Sequence, residues 1–207
     1  FRRAIDTLDD GKYTGEVYTD GVGTPLKIAV QITVKGSELS VDYTGSSPQV
    51  AWGGLNCTMN YSRGHTLFGL ACLLAPEIPV NEGCFVPIDV SAPEATIINC
   101  TFPASVGSRT NTGWFIHAAI FDALAQVMPE SIQAGNGLMA SLRTYGVNAK
   151  GKVFNAHLFS GGGRGATSVG DGMGNNMFPS SASNVPVEVF ELNSPALIIA
   201  KEFITDS

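Results

Sequence analysis

Residues 26–34 alternate without a break, with Ile28, Val30, Ile32 and Val34 on one side and Lys27, Ala29, Gln31 and Thr33 on the other. A period of two places those four branched side chains on one face of a β-strand and commits that face to a core. Lys35-Gly36-Ser37-Glu38 then turns the chain, and Leu39, Val41 and Tyr43 resume the alternation, so the pattern predicts a hairpin. A half-buried hairpin needs a covering layer. Ile116, Ala119, Ile120, Ala123, Leu124 and Val127 supply one at helical core spacing, ahead of Pro129, with a second stripe of Trp114, Ala118, Phe121 and Ala125. A helix this apolar all round lies deep inside a domain or is sandwiched between a sheet and a partner. Thr110 or Thr112 is its expected cap.

The remaining elements are read with the same rules. Residues 59–74 form a mostly buried helix that stops before Pro76, and its His65 is read as a packing residue. Cys84–Val90 and Ala95–Cys100 are read as short strands, residues 138–146 and 152–160 as a longer pair, and Val187–Phe190 and Leu197–Phe203 as two more. The fold class expected is therefore α+β, mainly antiparallel sheet with two buried helices. At 207 residues the chain suffices for one large domain or two small ones.

Composition excludes several classes. Charged residues make up 14% and hydrophobic residues 44%, which is globular, and a net charge of −6 without a basic run argues against a nucleic-acid partner. No run approaches a membrane span and the chain opens on Phe1-Arg2-Arg3 without an apolar signal region, so a cytoplasmic protein with no membrane partner is expected. Low charge with this much apolar residue points to an oligomer, in which some surface is covered by another chain. Cys57, Cys72, Cys84 and Cys100 lack CxxC pairing and histidines at ligand spacing, which reads as buried free thiols.

Candidate chemistry concentrates in Ser160-Gly161-Gly162-Gly163-Arg164-Gly165-Ala166, with Asp171-Gly172 close behind. Glycines leave backbone amides open to close approach, successive N–H groups can form an anion-binding concavity, and a guanidinium adds a fork for carboxylate or phosphate. Gly162, Gly163, Arg164 and Gly165 are thus the substrate or anion-binding candidates. A flexible turn between strands is the plain alternative. The loop fits neither a P-loop nor a dinucleotide fingerprint. Arg109, His117 and Asp171 are the catalytic candidates: a cation at the start of an apolar helix, an imidazole within it, and a carboxylate behind the glycine loop. His117 and Asp122, five apart on one helix, do not face each other and form no relay. Standard hydrolase signatures are absent, and the three histidines are too scattered for metal ligation.

Taken in order, Asp10-Gly11-Lys12-Tyr13, Val41-Asp42-Tyr43-Thr44-Gly45-Ser46-Ser47-Pro48-Gln49, Gly54-Leu55-Asn56, the run Ile78-Pro79-Val80-Asn81-Glu82-Gly83-Cys84-Phe85-Val86-Pro87-Ile88, Ala92-Pro93-Glu94-Ala95-Thr96-Ile97-Ile98, Pro103-Ala104-Ser105-Val106, the glycine loop, and Pro186-Val187-Glu188-Val189-Phe190-Glu191 form a distinctive series. This series resembles the hydantoinase B/oxoprolinase family over essentially the whole chain. The resemblance implies an ATP-dependent enzyme that opens a cyclic amide such as a hydantoin or 5-oxoproline. Its relatives carboxylate ketones, and a non-catalytic assembly domain is a further alternative. An A-type subunit or domain is the implied partner, activating a reactant by phosphorylation with ATP and Mg2+. The family's divalent metal is expected in a segment upstream of Phe1, so residues 1–207 are expected to be a single internal region of a longer B-type subunit, inactive when isolated. The resemblance assigns no catalytic role to any residue present.

Overall fold

The structure, a computed structural model, describes residues 1–174, 176–180 and 182–202. The chain divides into two compact units, one built from Phe1–Gly135 with Gly165–Asp171, the other from Asn136–Arg164 with the chain from Gly172 onward.

In the first unit the predicted hairpin is the centre of a four-stranded sheet in the order β1 (Gly11–Thr19), β2 (Leu26–Lys35), β3 (Glu38–Asp42), β4 (Ile88–Ser91). β1, β2 and β3 are antiparallel, and β4 joins β3 in parallel. Ile28, Val30, Ile32 and Val34 are all buried, as the alternation requires. The 36–37 turn places Gly36 at φ +55°, and its N–H donates to Asp10 Oδ1 at 2.6 Å. β1 was not expected, because Gly15 interrupts the apolar face that Tyr13 and Val17 form against Lys12, Thr14 and Glu16. It is an edge strand whose Gly15 lies against a helix, where a Cβ would come within 2.6 Å of the Ala123 nitrogen.

That covering helix is α3 (Arg109–Leu124), with Ile116, Ala119, Ile120, Ala123 and Leu124 fully buried. Its N-cap is Ser108, and neither threonine caps it; the Thr112 hydroxyl instead donates to the Leu55 carbonyl at 2.6 Å. α2 (Met59–Leu74) matches its expected bounds. A short helix α1 (Arg2–Ile5) buries Ile5. The strand expected over 84–90 is a 3-10 turn at Glu82–Phe85 followed by β4, the Pro87 carbonyl accepting from the Leu39 N–H where pairing starts. Residues 95–100 are irregular rather than a strand: Ala95 has φ +59°, and Ile97 and Ile98 are both fully buried, which an alternating strand does not permit. Of the four thiols only Cys57 is buried, while Cys72 is exposed, so the expectation of buried cysteines holds at one position.

The second unit has β5 (Ala140–Val147) paired antiparallel with β6 (Val153–Ser160), close to the expected bounds. α4 (Val187–Asn193) packs on β6 where a strand was expected. Pro186 presets the entry to a helix, and Phe190 and Ser194, four apart, are buried on one side, so a period near four overrides the apparent alternation of Val187 and Val189. The last expected strand, 197–203, is irregular through residue 202, and Phe203 lies outside the described residues.

Candidate functional site

α2 and α3 run side by side in the same direction, in a fixed register. The Cys57 thiol donates to the Arg109 carbonyl at 3.6 Å, Tyr61 lies against Gly113, and the His65 and His117 rings are 5.0 Å apart, a constant offset of 52 residues. Steps of four keep one helical face aligned, so each turn of α2 meets the matching turn of α3. Glycine makes the approach possible. A Cβ on Gly113 would fall 2.8 Å from the Tyr61 hydroxyl and 3.0 Å from its Cζ, and a Cβ on Gly69 would fall 2.9 Å from His117 Cδ2.

The result is a stack. The Tyr61 and His65 ring centroids are 4.5 Å apart, His117 meets His65 edge-on, and Phe68 meets His117 edge-on at 5.5 Å. At the open end the Arg109 guanidinium lies 5.4 Å over the Tyr61 ring. Burial, with the neighbouring His65 adding to it, pushes the His117 pKa down to about 3, against a hydrogen bond to the Trp114 backbone. Burial also lowers the His65 pKa and raises that of Tyr61. Cys57 is pushed up to about 12, chiefly by burial and then by Cys100. Near neutrality the stack therefore presents neutral rings and a neutral thiol, with Arg109 as its charge.

Arg109 is exposed, donates to the Val106 carbonyl at 3.3 Å, and forms no salt bridge among the described residues. The first turns of both helices lack acidic residues and side-chain caps. Arg109 and His117 share one face of α3, eight residues and about 12 Å of rise apart. Asp171, in the same unit, is exposed and makes no hydrogen bond or ion pair among the described residues. Asp122 accepts from the Glu16 N–H at 3.0 Å.

The glycine loop is more tightly tied than its composition suggests. In the second unit the Gly161 N–H donates to Asn184 Oδ1 at 2.7 Å, and the Arg164 N–H donates to the Met173 carbonyl at 2.9 Å. Gly163, at φ +106°, accepts from Asn136 Nδ2 at 2.6 Å. Gly165, in the first unit, sits so close to Ala134 that a Cβ would overlap its carbonyl. Gly162 and the Arg164 side chain remain exposed. No group of three or more His, Cys, Asp or Glu is arranged to hold a metal ion among the described residues. None of the described helices is long and apolar enough to cross a membrane.

Sequence reasoning passed over Tyr61 and Cys57 and treated His65 as packing. The signal was present: Cys57, Tyr61, His65 and Gly69 recur every four residues, as do Arg109, Gly113, His117 and Phe121.

Comparison with known proteins places the chain as a whole. The profile of the hydantoinase B/oxoprolinase family matches residues 1–207. A Pseudomonas sp. (strain NS671) protein, provisionally named as the B-type subunit of a D-/L-hydantoinase, is 37% identical over 149 residues, covering 66% of this chain and 25% of that protein. 5-Oxoprolinase 1 of Arabidopsis thaliana is 26% identical over 185 residues, 88% of this chain and 14% of its own length. The chain thus spans a quarter or less of these two relatives. Among solved structures, the ATP-dependent caprolactamase from Pseudomonas jessenii superposes on all of this chain and 37% of its own, with a TM-score of 0.82 and 25% identity. An acetone carboxylase shares the fold over 94% of this chain and 30% of its own, with a TM-score of 0.76 and 18% identity. The chain belongs to the hydantoinase B/oxoprolinase family.

Proposed function

We propose that this chain is part of the B-type subunit of an ATP-dependent amidohydrolase that opens a cyclic amide after phosphoryl activation by an A-type partner, which binds the ATP and Mg2+. The observation carrying this reading is the likeness, over the whole chain, to an ATP-dependent caprolactamase. The chemistry is coherent. An unactivated lactam is a poor electrophile, and conversion of its carbonyl oxygen to a phosphate ester supplies a leaving group. Such an intermediate is anionic. Arg109 of the first unit and, as a separate candidate, Arg164 of the second, each exposed and outside any salt bridge among the described residues, are cations that could bind such an anion, Gly162, Gly163 and Gly165 shaping the loop that carries Arg164. Asp171 is the proposed proton acceptor, a solvent-facing carboxylate. His117, neutral near pH 7, contributes as the imidazole backing the stack under Arg109.

The test is to co-express the full-length chain with its A-type partner and assay ATP-dependent turnover of hydantoins, 5-oxoproline, caprolactam, and ketones with bicarbonate. Ring opening coupled to ATP consumption is the expected result. Carboxylation of a ketone without amide hydrolysis would replace this reading with the carboxylase one. A chain needed only for complex formation, with Arg109 and Arg164 replaceable at no kinetic cost, would leave an assembly role.

A further inference from the structure

We infer that Tyr61 is a positioning residue for Arg109: its ring fixes where the guanidinium sits, and Gly113 is the seat that fixes the ring. This rests on Arg109 being the anion-binding cation proposed above. An arginine on an exposed helix start has a long, rotatable stem, and nothing acidic holds this one among the described residues. Two contacts define its head, the Val106 carbonyl at 3.3 Å and the Tyr61 face at 5.4 Å. Both leave the planar fork available, since one of five donors is engaged. An arginine over a tyrosine face within about 6 Å is attracted by the ring quadrupole.

Tyr61 can act as a platform because it is itself immobilised. On one side Gly113 leaves a gap the ring fills, and on the other His65 stacks at 4.5 Å, backed by His117 over Gly69. Two helices therefore grip the ring in their shared register. The Tyr61 hydroxyl makes no hydrogen bond among the described residues, so the ring face rather than the phenol is the operative group. That distinction makes the inference testable by a conservative variant.

The experiment measures modification of Arg109 by phenylglyoxal in the full-length protein, read by peptide mass spectrometry with and without inorganic phosphate. In the native protein phosphate should slow modification of Arg109. Tyr61→Phe should match it. Tyr61→Leu, checked for native melting, should raise the phosphate-free rate and weaken protection, each by roughly two- to fivefold, the change in population that an exposed cation–π contact supports. Tyr61→Met, closer in volume and without a face, gives the same reading should the leucine variant not fold. Unchanged rates in both aliphatic variants, or a phenylalanine variant that behaves like them, would overturn the inference. Absence of phosphate protection in the native protein would instead remove the anion-binding role of Arg109, while the phosphate-free rates still decide whether Tyr61 holds it.

Discussion

Strands β2 and β6 both alternate in sequence, yet every second side chain of β2 from Leu26 to Val34 is buried, while β6 buries Ala156 alone. The difference lies in what covers them. β2 is the second strand of a four-stranded sheet under the sixteen-residue helix α3, whereas β6 belongs to a two-stranded hairpin faced by the seven-residue α4. Two-stranded hairpins are marginal without further layers, so stability concentrates in the first unit. The second unit exposes Tyr145 at 83% and Val153 at 75%. Alternation fixes which face an apolar residue takes, and the neighbouring layer decides whether that face is dry.

The largest effect should come from breaking the dry side. Ile120 is fully buried on α3, so Ile120→Asp places a carboxylate in an apolar, water-excluded site. We expect a loss of about 4 kcal/mol or more, at the extreme of single-substitution effects. Chemical denaturation of the full-length protein measures it. A midpoint equal to that of the native protein would mean that α3 is not the core element described.

On the second unit the expected effect is kinetic. Arg164 is exposed, and its backbone N–H is held by the Met173 carbonyl, so the loop conformation does not depend on the side chain. On the proposed anion-binding role, Arg164→Ala in the full-length protein with its A-type partner should lower kcat/KM roughly tenfold to a hundredfold, the range for losing a hydrogen bond to a charged group, with melting unchanged. Lysine should restore part of it if the contact is bidentate. Kinetics equal to those of the native protein would make Arg164 a solvated turn residue.

Acid should act on the first unit through His117. Its folded pKa lies near 3, below the ordinary value of 6.5, so the unfolded chain binds the proton more readily. The stabilisation is complete above pH 6.5 and declines as pH falls from there toward 3. Between pH 7 and 5 this one group should cost about 2 kcal/mol. His65, shifted in the same direction, adds to the loss. His117→Gln should flatten the profile over that interval, and an unchanged slope would place the acid sensitivity elsewhere.

Much of this division was legible in the residues. The β2–β3 hairpin and the interiors of α2 and α3 declared themselves because period and burial agreed. β1 did not, because its place is set by contact between Gly15 and α3, and no apolar pattern encodes a contact made by an absent side chain. α4 was misread because two alternating valines imitate a strand over four residues. The site was legible only in parts. The glycines around Arg164 announced a special backbone, and the structure shows several of them held by Asn136, Asn184 and Ala134. Arg109 and His117 were visible singly, but the stack joining them depends on the parallel register of two helices about fifty residues apart, which neither helix states alone.

The smallest predicted effect completes the comparison. Val153 begins β6, pairs with Val147, and is 75% exposed, so its side chain contributes little apolar burial despite its place in an alternating strand. Val153→Asp should therefore change stability by no more than about 0.5 kcal/mol, the ordinary range for surface sites, although the same change of residue type is ruinous on α3. β-propensity disfavours aspartate, which sets the sign as a slight loss. The measurement is a denaturation midpoint beside that of Ile120→Asp in the same full-length protein. A loss of several kcal/mol at Val153 would show that the exposed face of the hairpin is covered in the folded protein, and the contrast between the two units would then be one of partners rather than of layers.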